Sequence, residues 1–194
     1  MSVSVEETEY GIIVRTVQPG TYKYPSRFCM PNAHEWGNPP RAGHGLWSYA
    51  RGWRVPIDDS HYYRFGLDVV PLTGEAAKEY QDRQAARFAK ATRRTEEIAD
   101  AILAGRESAK DLSNDQPDLV NIQDYIAQVA LGDIAAQPNQ EHLGRADVGV
   151  ILVRRLWARE LQALAEGRPL TQWRRPDSFW TDVTERNREE AGVK

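Results

Sequence analysis

LWSYARGWRVPIDDSHYYRFGLDVV, residues 46–70, decides how the rest of the chain is read. Two runs rich in aromatic and β-branched residues, LWSYARGWRVPI and HYYRFGLDVV, flank the short polar stretch IDDS. Runs of this kind favour strands, and a polar break this short joins strands that pair antiparallel. Asp58, Asp59 and Ser60 stand at the turn, where short polar side chains bond nearby backbone amides. The segment therefore predicts a β-hairpin and, with it, an antiparallel sheet.

Strand signals extend upstream of the hairpin. TEYGIIVRTV and TYKYPSRFCMP are short and rich in β-branched and aromatic residues, and Gln18-Pro19-Gly20 between them is a turn signal. PNAHEWGNPPRAGHG (31–45) reads as a loop because Gly37, Pro39, Pro40 and Gly43 crowd its second half. Strands are thus expected over residues 8–70.

Helical composition takes over after the hairpin. Residues 73–104 are rich in Ala, Glu, Arg and Lys and contain no proline, which predicts one helix with Thr73 at its start and Gly105 at its end. Its low apolar content predicts a surface position. Residues 119–131 predict a short apolar helix. A third helix is predicted over 147–166, with Asp147 at the N-cap, Gly167 just past the end and Pro169 beyond. Val148, Leu152, Leu156, Trp157, Leu161 and Leu164 give it a broad apolar face, and Arg154, Arg155 and Arg159 project elsewhere. Residues 173–194 form a polar tail in which Trp173, Phe179 and Trp180 are candidate docking side chains. A sheet followed by helices is the α+β order.

The totals narrow the function classes. At 194 residues, with 41% hydrophobic and 27% charged, the chain predicts a folded core, either one ordinary domain or one large lobe of a bigger one. A net charge of −3 gives no electrostatic case for nucleic acid or an anionic membrane as partner. The single cysteine, Cys29, excludes an internal disulfide framework and fits a reducing compartment. No apolar run reaches the about 18 residues of a membrane span, and the acidic start MSVSVEETEYG lacks the features of a signal peptide. A cytoplasmic protein is the expectation.

Several familiar sites are missing. The chain has no G-x-S-x-G, no P-loop, no dinucleotide fingerprint and no paired-cysteine zinc motif. Its one cysteine also excludes an iron–sulfur cluster held by this chain. None of His34, His44, His61 and His142 has the i, i+4 helical spacing of a metal site. His34 and His44 read as loop residues, and His142 as a packing or capping residue before the last helix. In DDSH, Asp58, Asp59 and His61 either hold a hairpin turn, which is the simpler reading, or offer a metal two carboxylates and an imidazole. In NIQDYIAQVALGD (121–133), Asp124 stands among Ile122, Ile126, Val129, Ala130 and Leu131, a run that predicts burial. A buried carboxylate must be paired, hydrogen-bonded or metal-bound. On a helix, Gln128 lies one turn beyond Asp124 on the same face. The residues alone favour an ordinary paired aspartate.

VPIDDSHYY (55–63), IQDYIAQ (122–128), EHLGRADVGVILVRRL (141–156) and the ending Glu166-Gly167-Arg168-Pro169 carry a resemblance. In this order they resemble the C-terminal part of the catalytic domain in the large (α) subunit of Rieske non-heme iron aromatic-ring-hydroxylating oxygenases, on the phthalate dioxygenase-like branch. TEYG resembles the point where that domain resumes after its iron-binding helices. The resemblance implies a helix-grip fold, like that of START and Bet v 1 proteins, with residues 1–172 as a partial catalytic domain. It implies hydroxylation or O-demethylation of an aromatic compound with dioxygen. Asp124 is implied as one of three ligands of a mononuclear Fe(II), with Gln128, His61 and Asp58 at most neighbours of the site.

The two histidine ligands of such a site belong to a D-x-x-H-x-x-x-x-H segment upstream of TEYG, and the 2Fe–2S cluster to a Rieske domain. Neither has a counterpart in these 194 residues. The expected partners are therefore that Rieske portion, or a separate subunit carrying it, and an NAD(P)H-dependent reductase or ferredoxin. Relatives also form trimers. Gln128-Val129 and Ala136-Gln137 depart from the Q-E and Asp-Arg pairs of many relatives. The isolated chain is expected to be inactive and to hold iron weakly. The alternative is a non-catalytic protein of the same fold that binds an apolar ligand or acts as a scaffold.

Overall fold

The computed structural model describes residues 2–17, 19, 25–40, 45–59, 61–132 and 141–175. The chain divides into two compact units, Met1–Pro71 with His142–Lys194, and Leu72–Glu141. Among the described residues, no helix is long and apolar enough to cross a membrane.

The first unit is built on a six-stranded antiparallel sheet in which every strand pairs with the next in sequence. Its strands are β1 (Ser2–Thr8), β2 (Gly11–Val17), β3 (Ser26–Cys29), β4 (Ala33–Asn38), β5 (Ser48–Pro56) and β6 (Tyr62–Val69). The predicted hairpin is β5–β6, registered from Tyr49↔Val69 to Pro56↔Tyr62. Asp58 closes its turn by accepting the His61 backbone N–H at 2.8 Å.

Two upstream readings are corrected. Thr8-Glu9-Tyr10-Gly11 is not the start of the first strand but the turn between β1 and β2. Residues 2–8 alternate, with Val3 and Val5 half-buried and Ser2, Ser4 and Glu6 exposed, so β1 is an amphipathic strand under acidic composition. Gly11 suits the turn: its φ is +139°, and an added Cβ would collide with the carbonyl of Phe28. Residues 33–38, read as loop, form β4, because Ala33 and Glu35 face a buried side while His34 and Trp36 alternate to the other. The glycines and prolines that suggested a loop mostly follow the strand.

The helix of the first unit, α4 (Val148–Ala165), follows three shorter helices of the second. Asp147 is its N-cap residue, although its carboxylate accepts from the Gly144 N–H at 2.7 Å. At the other end Gly167 N–H bonds Leu164 O and Arg168 N–H bonds Ala163 O, the paired bonds of a Schellman stop. α4 packs on the face of the sheet that carries Ile12, with Leu156, Leu152 and Val153 against Ile12, Val5, Val14 and Phe28. The buried stripe is narrower than its composition suggests, since Trp157, Leu161 and Leu164 stay exposed. Glu160 is buried in that stripe because Thr171 answers it, giving its hydroxyl at 2.7 Å and its N–H at 2.9 Å. Those bonds hold the Glu160 carboxyl below the ordinary range. Trp173 joins the core as expected, whereas Phe179 and Trp180 lie outside the described residues.

The second unit contains α1 (Gly74–Phe88), α2 (Thr95–Leu103) and α3 (Leu119–Ala130). The single helix expected over 73–104 is broken between Phe88 and Thr95. There Glu97 reaches back to the Arg94 N–H at 3.4 Å and its Nε at 2.9 Å, starting a new helix. α1 buries no residue, matching the surface expectation, but α2 buries Ile98, Ala99 and Ala101. Ile98 and Ala99 meet Ile122 of α3, with Tyr125 and Ile126 around them. Thr95 donates to Asp118 at 2.7 Å, tying the starts of α2 and α3.

Candidate functional site

The expected iron ligand is not where its neighbours in sequence suggested. Asp124 is exposed. Two residues along a helix are about 200° around its axis, so burying Ile122 against α2 turns Asp124 outward. Val129 and Leu131 are exposed too, at 50% and 61%, so the apolar run is not a buried segment. Gln128 lies one turn on and is also exposed.

Asp58 and His61 do come together, in the first unit. The His61 Nδ1 is 2.9 Å from Asp58 Oδ1, and both side chains are more than half exposed. With the backbone bond of the turn, this geometry supports the hairpin reading of DDSH. His142 is exposed, and His44 lies outside the described residues. Among the described residues, no group of three or more His, Cys, Asp and Glu is placed to hold a metal ion.

A cleft in the first unit makes a better site. It lies on the α4 side of the sheet and has a volume of about 440 Å³, within the range that holds small-molecule ligands. Ile12, Val14, Phe28 and Val153 supply apolar walls, and His34, Arg54 and Arg154 supply polar edges. Each strand contributes through its period of two: Ile12 and Val14 on β2, Phe28 on β3, His34 on β4 and Arg54 on β5 share one face. Gly149 brings the first turn of α4 close to β2, since a Cβ there would sit 3.1 Å from Val14 Cγ2. His34 is half-buried, and its ring stands 5.0 Å from that of Trp36. Burial, followed by the charges of Arg54 and Arg64, pushes its pKa below the ordinary histidine value. The cleft thus combines hydrocarbon walls with guanidinium groups and an imidazole that stays neutral near pH 7.

The opposite face of the sheet holds a polar cluster that sequence reasoning missed. Glu35 is 2% exposed and lies directly between Arg27 on β3 and Arg51 on β5. Its Oε1 accepts from Tyr49 Oη at 3.0 Å and pairs with Arg51 Nη1 at 2.9 Å, while Arg27 Nη1 is 4.0 Å from Oε2. Arg51 also stacks on Trp53, 4.9 Å from the ring centroid. Burial, then the Glu35 charge and its hydrogen bond, pushes the Tyr49 phenol up to about 12. Cys29, on the same face, is raised to about 11 by burial and then by Glu35. These groups hold strands together and leave no reactive thiolate, because a protonated, buried cysteine is a poor nucleophile.

Comparison with protein-family models, curated proteins and solved structures found no significant match.

Proposed function

We propose that this chain grips an apolar small molecule with an anionic end in the cleft between its sheet and α4. In this reading it does so as the C-terminal part of a Rieske-type oxygenase catalytic domain of helix-grip form. The cleft carries the proposal: apolar walls suit an aromatic ring, and Arg54 and Arg154 suit a carboxylate. The order of elements, an antiparallel sheet with a long C-terminal helix against one face, supports the helix-grip reading. The four motifs connect that form to hydroxylation or O-demethylation of an aromatic compound. Iron is the weak point of fit. The described residues offer Asp124, exposed on α3, without a donor set around it.

The second reading, a non-catalytic binder of the same form, is favoured by one contrast: the described residues form the cleft, whereas they gather no donor set around Asp124. Binding is tested by titrating the chain with benzoate-type acids and their uncharged amides. Acids should bind more tightly, Arg54→Ala should remove that preference, and affinity should rise as pH falls because a bound anion favours protonated His34. Equal affinity for acid and amide would end the anion reading. Co-expression with the product of the adjacent reading frame, followed by iron analysis and NADH-dependent oxygen uptake, separates oxygenase from binder.

A further inference from the structure

β6 forms one edge of the sheet, and among the described residues no strand pairs with its outer side. Edge strands are usually protected by charge, proline or cover. β1, at the other edge, carries Glu6 and Glu7 and packs against α4. β6 carries one charge of each sign, Arg64 and Asp68, and leaves Tyr63, Phe65 and Leu67 63%, 56% and 49% exposed on one face, beside Val55 at 41%. No proline or lysine interrupts the strand.

The hydrogen-bond alternation shows which of its groups face outward. Arg54 N–H bonds Asn32 O on the β4 side, and Ile57 N–H bonds His61 O on the β6 side. Odd residues of β5 and their odd partners on β6 therefore bond each other, and the N–H and C=O groups of Arg64, Gly66 and Asp68 point away from β5. Charge adds a second constraint. Arg64 stands opposite Arg54 across the sheet, a like-charge pair, while Asp68 stands opposite Ala50.

We propose that β6 pairs antiparallel with β6 of a second copy, about a two-fold axis perpendicular to the sheet and midway between the Gly66 residues of the two copies. That register sets Arg64 opposite the second copy's Asp68, and Asp68 opposite its Arg64. Phe65 and Leu67 then meet across the close, non-hydrogen-bonded positions, where side-chain contact is strongest. The sequence Arg64-Phe65-Gly66-Leu67-Asp68 is thus self-complementary in charge, in apolar content and in its outward backbone groups. A one-residue change of register loses all three, because it breaks the face alternation.

Sedimentation of the 194-residue chain over a range of concentrations tests this pairing. A reversible doubling of mass is expected. Arg64→Asp and Asp68→Arg should each weaken the dimer by about tenfold or more, since the symmetry places each change at two contacts. The double variant, Arg64→Asp with Asp68→Arg, should return to within about threefold of the original. A chain that stays monomeric, a dimer indifferent to both single changes, or a double variant no better than either single one would overturn the proposal.

Discussion

Glu35 shows how much one side chain governs in this sheet. Removing it leaves two largely buried guanidinium groups without their shared carboxylate, and breaking such an arrangement typically costs about 3–5 kcal/mol. Glu35→Ala should therefore lower stability by that order in urea unfolding. It should also bring the Tyr49 titration down from about 12, seen as tyrosinate absorbance. The same neighbourhood predicts an alkaline weakness. Tyr49 and Cys29 both hold their protons more tightly folded than unfolded, with folded values of about 12 and about 11 against ordinary values of 10.0 and 9.0. Their contribution is whole below pH 9 and is lost as pH climbs to 12, a fall on the order of a few kcal/mol. Urea midpoints measured against pH should show it, and Cys29→Ser should delay the decline until tyrosine begins to ionise. None of this was legible from the sequence. HEWGN gives no sign that its glutamate lies between two arginines until the strands are registered.

Among the elements, legibility followed the strength of local patterning. The β5–β6 hairpin was readable because two β-rich runs flank a polar turn whose Asp58 bonds the backbone as expected. The ends of α4 were readable because Asp147 and Gly167 are local signals. β4 was missed because nearby glycines and prolines outweighed six alternating residues. The break after α1 was missed because Glu97 capping Arg94 competes with uniformly helical composition. Asp124 was misplaced for a related reason: an apolar run of helical residues need not be buried all round, and only the side of α3 bearing Ile122, Tyr125 and Ile126 packs. The cleft was beyond reach, because it needs three strand registers and the approach of α4 together. That approach depends on Gly149. Gly149→Leu should push α4 from Val14 and fill the cleft, costing about 1–3 kcal/mol in stability and abolishing binding of benzoate-type acids by calorimetry.

At the scale of the whole molecule, Asp124, the one implied iron ligand, belongs with Gln128 to one unit, and Asp58 and His61, at most neighbours of such a site, belong to the other. Purified alone and incubated with Fe(II), the 194-residue chain should retain far less than one iron per chain by metal analysis, and Asp124→Ala should change that little. Stoichiometric iron lost on that substitution would show that Asp124 has companion ligands beyond the described residues. The strictly sequential strand order has a further consequence, for the path of folding. Each strand waits only for its nearest successor, so the sheet can grow by hairpins with short loops, the fast kind of closure. α4 must instead return past residues 72–141 to reach β1 and β2. Loop-closure entropy rises only slowly with length, by about 0.6 kcal/mol per doubling. The intervening unit can therefore lengthen or shorten at little thermodynamic cost, while the late arrival of α4 governs when the cleft first exists.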